Sequence, residues 1–269
     1  RDLAQGDPDR AAAYRRRAAA ARADAARDAA GPRLWPLTAD LLSLVENPVV
    51  REAFFPSGWT GHRVEPAGPG DAAAVREMTA AWDPGSAPWV ERWWGRHPEA
   101  FSVSRGPAGE VSGYSILLEG RLADPALCAA DPVAAAFAAH RAACPLEEGE
   151  TVLFVRHAMA REEGLGIGPA TGALFLDAKR SYMALRPALR RTYTMVPVGG
   201  TVAPVLAALG FRPAGAPVEA GGGAYQALVL DFGPGSVDGW LAGLIDAELR
   251  ARASRAQSAG AGDAVLTRG

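Results

Sequence analysis

The stretch Thr151-Val152-Leu153-Phe154-Val155-Arg156-His157-Ala158, followed by Arg161-Glu162-Glu163-Gly164-Leu165-Gly166, decides the fold. Its first eight residues are largely β-branched, aromatic or apolar and read as a strand. The glycines mark a tight turn, and residues 169–185 read as a helix. At such a turn glycine admits both a close backbone approach and dihedrals closed to other residues. The first free N–H groups of the helix, with its dipole, then face any anion held there, and Arg161 can add a bidentate contact. The same glycines also suit a turn that binds nothing. The order of the surrounding elements favours the cradle.

Upstream, Arg63–Pro66 reads as a strand, and Pro69-Gly70-Asp71 as a turn whose Asp71 can cap a helix over 71–82. A second helix over 87–96 carries Trp89, Trp93 and Trp94; Trp89 and Trp93 share a face as a core stripe, or these tryptophans together with Trp82 wall an acceptor site. Phe101–Arg105, the turn Gly106-Pro107-Ala108-Gly109 and Glu110–Glu119 form a β-hairpin. Residues 124–144 are Ala-rich and helical, an insertion that covers a cleft or offers an interaction surface. Downstream come a strand Arg191–Val196, a helix Thr201–Leu209 and two closing strands that end at Asp231. A final helix over 236–252 follows, with Ser236 as its cap. Residues 8–30, rich in Ala and Arg, read as a solvated helix whose Arg15, Arg16 and Arg17 face water. Leu34 to Val45 supply the apolar face of another helix, capped by Thr38 or Asp40, that docks on the main body. The expected organisation is a helical extension over 1–61, one α/β domain over 62–233, a helix over 234–253 and a flexible tail over 254–269.

The 28 basic residues against 30 acidic ones leave a net charge of −2, so no polybasic surface for nucleic acid or anionic membrane is expected. Lys179 is the only lysine. Cys128 and Cys144 have no CxxC spacing and read as small packed thiols, and no metal site is expected. With no run of about 18 apolar residues and no leader pattern, the expected location is the cytoplasm.

The order strand, two helices, hairpin, strand, glycine turn, helix, strand, helix, Gly-Phe and two strands resembles the GNAT superfamily of acyl-CoA-dependent acyltransferases. Pro66 to Asp71 looks like the family's opening turn. The hairpin Phe101–Arg105 and Gly109–Tyr114 is similar to its second and third strands. Arg161-Glu162-Glu163-Gly164-Leu165-Gly166 matches its Arg/Gln-x-x-Gly-x-Gly/Ala loop, and Val202–Leu209 with Gly210-Phe211 its last helix and corner. The resemblance spans about 170 residues. It implies an α/β fold with a mixed central sheet of the GNAT type and flanking helices, here with an extra N-terminal helical segment. It also implies acetyl-CoA or a related acyl-CoA as co-substrate, held by Val155, Arg161, Gly164, Leu165 and Gly166.

Acyl transfer to an amine requires a base and an acid for the departing thiolate. The family's Tyr, four residues before the Gly-Phe corner, is Leu206 here, and its Asn has no counterpart among Gly199, Gly200 and Thr201. Tyr182 or Tyr193 can substitute. His157 and Glu119, both on strands, are the candidate bases, His157 titrating near neutrality. The leading expectation is therefore transfer of an acetyl group by direct attack of an amine, on a small molecule or a protein. One alternative is a domain of this fold that has lost its chemistry and serves as a sensory or interaction module beside other domains of a larger bacterial regulator. The other is a decarboxylase or acyl-loading domain of a polyketide synthase.

Overall fold

The computed structural model describes residues 7–56, 61–120 and 125–266, with side chains as far as Ala251 apart from Pro8 and Asp9. Residues 121–124, where the expected insertion begins, and 267–269, at the end of the expected tail, lie outside the described residues. The chain runs through α1 (Pro8–Arg27), α2 (Leu34–Ser43) and α3 (Pro48–Phe54) into β1 (Arg63–Pro66), α4 (Ala72–Trp82) and α5 (Ala87–Arg96). The hairpin β2 (Phe101–Arg105) and β3 (Val111–Glu119) follows, then α6 (Pro125–Ala130), α7 (Pro132–Ala143) and β4 (Thr151–Ala160). Next come α8 (Pro169–Leu185), β5 (Leu189–Pro197), α9 (Ala203–Ala208), β6 (Arg212–Pro213), β7 (Val218–Ala220), β8 (Gly223–Asp231) and α10 (Ser236–Leu266).

These strands form one mixed sheet in the order β1-β2-β3-β4-β5-β8-β6, with β7 also on β8. It is the sheet of GNAT type expected from the sequence. Neighbours are antiparallel except β4 and β5, whose connection through α8 is the helical crossover that parallel strands need. That parallel ladder runs from Thr151 opposite Leu189 to Val155 opposite Thr194 and then stops, although β4 continues to Ala160 and β5 to Pro197. Beyond it β4 keeps only β3 as partner and β5 keeps only β8. The sheet therefore opens into a cleft whose backbone edge is free of ladder partners. At the same level β4 bulges. Ile116 faces His157 while Leu117 faces Val155, so Arg156 is the extra residue. A bulge sets two residues against one, and here Arg156 and His157 turn to the same face.

On that face α4, α5, α6 and α7 cover a core that includes Trp93, Tyr114, Phe137, Phe154 and Tyr193. Trp93 is fully buried and Trp89 is packed beside this cluster. The opposite face is covered by α8, α9, α10 and the N-terminal helices, with Leu41, Phe54, Leu153, Leu176 and Tyr182 inside. The insertion, α6 and α7, stacks Phe137 on Phe154 at 5.4 Å between ring centroids. No helix among the described residues is long and apolar enough to cross a membrane.

The helix α1 is largely exposed as expected, Arg16 and Arg17 included, but Arg15 is drawn in. Arg15 donates from Nε to the Leu44 carbonyl at 2.7 Å and pairs with Glu46 at 3.3 Å and with Glu248. Glu248 also accepts from the backbone N–H groups of Glu46 and Asn47, each at 2.8 Å, and Arg16 pairs with Asp246 at 3.1 Å. Glu248 and Asp246 stand more than two hundred residues from these arginines, beyond the reach of local pattern, and they clamp α1 against α10. The helix α2 starts at Leu34, so Thr38 lies inside it and bonds to the Leu34 carbonyl at 2.7 Å; neither Thr38 nor Asp40 caps it. Asp71 likewise turns back to the Gly68 N–H and to Arg105, with no side-chain cap on α4. The last helix continues to Leu266, past the start of the expected flexible tail, where Ala, Arg and Gln favour helix over coil.

Phe54 is buried and meets Phe175 of α8 edge to face at 6.2 Å. Phe54→Ala is expected to lower stability by about 3–5 kcal/mol, measured by equilibrium urea unfolding. A loss below about 1 kcal/mol would show that the N-terminal helices are not part of the folded core.

Candidate active site

A buried chain of hydrogen bonds runs along one wall of the cleft. Thr79 Oγ1 and the Tyr114 hydroxyl lie 2.6 Å apart, and that hydroxyl lies 2.7 Å from His157 Nδ1. His157 Nε2 lies 3.2 Å from Asp83 Oδ2, and the Tyr225 hydroxyl donates to Asp83 Oδ1 at 2.9 Å. Burial alone would push the Asp83 carboxyl up, but hydrogen bonds from His157, Ser86 and Tyr225 hold it at about 2. Burial depresses His157 below its ordinary 6.5, against the pull of Asp83 and with help from the charge of Arg156. Burial, then the bond to Asp83, pushes Tyr225 up to about 12, so it remains a donor.

Because Asp83 is ionised, His157 Nε2 must donate to it. With a neutral ring, Tyr114 donates to Nδ1 and Thr79 turns its hydroxyl to Tyr114. With a protonated ring, Nδ1–H donates to Tyr114, Tyr114 to Thr79, and Thr79 to the Val75 carbonyl, 2.7 Å away. Both arrangements leave every group on the chain paired. The ring can therefore take up a proton without the penalty of an orphaned buried donor.

Beside His157, the bulge residue Arg156 is buried to 2% exposure. Its Nε donates to Asp131 Oδ2 at 2.5 Å, and that carboxylate also accepts from Trp93 Nε1 at 2.8 Å and from the Val133 N–H at 3.0 Å. Arg156 Nη2 has no hydrogen-bond partner among the described residues. Asp83, Ser86, Arg156, His157 and Tyr225 line one cleft with Val155, Ala158, Leu165, Lys179 and Leu206; its space, counting open solvent at the mouth, is about 740 Å³. Over the Asp83 side, Gly85 meets the β7–β8 turn so closely that a Cβ on it would stand 2.1 Å from Gly221 Cα.

The glycine loop reaches the cleft through Leu165. Gly164 adopts a left-handed φ of +58° and exchanges backbone hydrogen bonds with Ala160 at 3.0 and 2.9 Å. The Trp82 ring lies over it, 2.8 Å from where a Cβ would be, and Trp82 Nε1 donates to the Arg161 carbonyl at 2.9 Å. Trp82 thus braces the loop instead of walling an acceptor site. The Arg161 guanidinium turns outward to Glu77 at 3.0 Å. The start of α8 receives the loop's own carboxylate, Glu163 Oε1, 3.4 Å from the Ala170 N–H, while Pro169 at the first helical position offers no N–H. A Cβ on Gly166 would lie 3.8 Å from Thr201 Oγ1, so the loop faces the turn before α9.

Of the residues singled out from sequence, His157, Val155 and Leu165 line the cleft, whereas Arg161, Gly164 and Gly166 belong to the loop that carries Leu165 and are not among the cleft's lining residues. Glu119 and Tyr193 are not brought there. Glu119 is exposed and pairs with Leu153 near the start of β4; β3 runs antiparallel to β4, which puts its end opposite to the open one. Tyr193 pairs with Phe154 where the β4–β5 ladder is still closed, stacks on it at 5.0 Å, and meets His140 Nδ1 at 3.1 Å. Asp83, Arg156 and Tyr225 were missed. Two left a trace in the sequence: Asp83 puts a negative charge at a helix C-terminus, where the dipole disfavours it, and Arg156 interrupts an apolar strand.

Neither a family model nor a curated protein sequence matches the chain. Solved structures of acetyltransferases resemble it at low identity. The histone acetyltransferase HPA2 and related acetyltransferase from Corynebacterium glutamicum is 17% identical over 63% of this chain and 96% of its own, with a TM-score of 0.40. The N-acyl amino acid synthase FeeM from uncultured soil microbes is 15% identical over 64% and 90%, with a TM-score of 0.44. The Arabidopsis thaliana NAA60 complex with acetyl-CoA is 11% identical over 64% and 98%, with a TM-score of 0.45. At these scores the fold assignment rests on the sheet itself.

Lys179 lies on the other wall, buried among Phe54, Tyr182 and Phe211, with the Tyr182 hydroxyl 3.4 Å from Nζ. Burial lowers its pKa from 10.5 to about 7. Between those values the unfolded chain keeps a proton that the folded chain has released, so stability rises with pH across that window. Melting temperature should climb from pH 7 to pH 10 in the wild type and lose this rise in Lys179→Met; equal slopes in the two proteins would remove Lys179 as its source.

Proposed function

We propose that the chain is an N-acyltransferase that takes an acetyl or related acyl group from acyl-CoA and passes it to an amine by direct attack. The observation that carries this reading is the coincidence, at Val155–His157, of an opened sheet edge with a buried proton-accepting chain. An extended chain of amides can add to such an edge by backbone hydrogen bonding, which suits the pantetheine arm. Val155 and Leu165 would line that arm, and the loop with Arg161, Gly164 and Gly166 would take the diphosphate after Glu163 leaves the start of α8 and Arg161 releases Glu77. Residues 62–233 would form the acyl-CoA-binding unit.

The acyl-CoA supplies the thioester. The acceptor ammonium is drawn to the ionised Asp83, and the proton it gives up is held on His157 Nδ1 by way of Tyr114, whose hydroxyl would hand its own proton to Nδ1, take the acceptor's in exchange and turn to Thr79. The amine nitrogen then bonds to the carbonyl carbon, the carbon–sulfur bond breaks, the thiolate leaves with the electron pair, and the second proton shed by the nitrogen passes to that thiolate or to solvent. Leu206 provides no acid, but a thiol with a pKa near ~8.5 departs with little help at neutral pH. The Gly85–Gly221 contact over the Asp83 side favours a compact acceptor over a protein side chain presented on a bulky surface.

Calorimetry with acetyl-CoA and a thiol-release assay with amine acceptors test the reading together. His157→Ala is expected to retain acetyl-CoA binding and to lose about 100-fold or more in turnover. Because the folded pKa of His157 is depressed, its neutral base form persists below pH 6.5, and base-limited turnover should fall only at more acid pH. No acetyl-CoA binding and no thiol release in the wild type would reject acyl transfer and leave an interaction module. Separately, Glu163→Ala should tighten acetyl-CoA binding about threefold or more, since it removes a carboxylate from an anion site; weaker binding would show that Glu163 holds the loop open for the ligand.

A further inference from the structure

The unpartnered edge of Arg156 bears on the identity of the acceptor, an inference that rests on the acyltransfer reading. A buried guanidinium N–H without a partner is costly, and this one belongs to a residue at 2% exposure that lines the cleft. Asp131 does not serve it: that carboxylate receives Arg156 Nε, Trp93 Nε1 and the Val133 N–H, and none of its bonds comes from Nη2. The bulge in β4 puts Arg156 on the same face as His157. The two line one cleft with Asp83 and Tyr225. One cleft wall thus carries a carboxylate with a proton-accepting chain and, next to it, a buried cation with one nitrogen left without a partner.

We propose that the acceptor is a small α-amino acid, its amine at Asp83 and Tyr225 and its carboxylate on Arg156 Nη2. A zwitterion matches this wall group for group. With Asp83 and Asp131 ionised, Arg156 charged and His157 neutral, the wall carries one net negative charge. A free carboxylate entering alone would meet repulsion, whereas one that brings its own ammonium would not. A carboxylate could also arrive on the acyl group. The acceptor is favoured because Arg156 shares its face with the amine-accepting groups, while the glycine loop reaches the cleft through Leu165. The closed contact of Gly85 with Gly221 limits the acceptor to a compact molecule.

The test compares matched pairs, L-alanine with ethylamine and L-phenylalanine with phenethylamine, in thiol release from acetyl-CoA. The wild type should prefer the amino acid of at least one pair by about tenfold or more in kcat/KM. In Arg156→Lys that preference should collapse through KM, because lysine brings one nitrogen and Asp131 takes it. Should Arg156→Lys fail to fold by its melting curve, the double variant Arg156→Gln with Asp131→Asn leaves no buried charge unpaired and serves instead. Equal or better use of the decarboxylated amines by the wild type would overturn the assignment. So would a variant in which both members of a pair fall together in kcat with their ratio intact, which would assign Arg156 to the thioester oxygen. Preference for succinyl-CoA over acetyl-CoA with ethylamine would put the carboxylate on the donor and overturn it as well. Acetyl-CoA binding without transfer to either class would sink both this assignment and the acyltransfer reading, whereas transfer to plain amines alone would sink only this one.

Discussion

The parting of β4 from β5 after Val155 and Thr194 is the constraint on which the rest of the structure depends. A sheet normally closes every backbone hydrogen bond between neighbours. Here two parallel strands are drawn apart by their outer partners, β3 on one side and β8 on the other. The resulting gap exposes unpaired backbone inside the molecule rather than at its rim. Such a gap is stable only if its walls are held by something other than the ladder, and the covering helices do that. On one face α7 packs Phe137 against Phe154 and Tyr193 just below the opening. On the other, α8 carries Tyr182, whose hydroxyl meets Thr192 of β5 at 3.3 Å.

The bulge at Arg156 exploits that opening. A regular strand alternates its side chains between faces, and Arg156 and His157 would then point apart. The extra residue places both on the face where Asp83 and Asp131 wait, each delivered by a different connection: Asp83 after α4, Asp131 before α7. Four buried ionisable groups in one region would be unstable if unpaired. Asp83 accepts from His157 and Tyr225, and Asp131 from Arg156, Trp93 and Val133, and among these four groups the buried atom left without a partner is Arg156 Nη2.

Much of the fold was legible because its signals are local. The strand, glycine turn and helix over 151–185 follow from β-branched residues, glycine and helix-forming residues in succession, and the hairpin at 101–119 from alternation around a Pro-Gly turn. The solvated reading of α1 holds for Arg16 and Arg17 and misses Arg15, because alanine and arginine look the same to a local pattern whether or not Glu248 lies alongside. The site was legible in part. His157 stood out as a titratable group on a strand, but Glu119 on the neighbouring strand looked equally suited, and only strand direction separates them. Tyr193 looked available until the register placed it opposite Phe154, on the closed side of the split.

By itself the sequence determined most of the strands and helices between Arg63 and Asp231, where the glycine loop falls, and that Lys179 is the single lysine, since these depend on residue type and short spacing. The tertiary structure decided where the ladder ends, which face a bulged residue takes, and which distant groups meet, such as Tyr225 with Asp83 across 142 residues of chain. The reason is physical. Propensity and periodicity act over a few residues, whereas a hydrogen bond between buried groups depends on which surfaces pack together, and packing belongs to the whole chain at once.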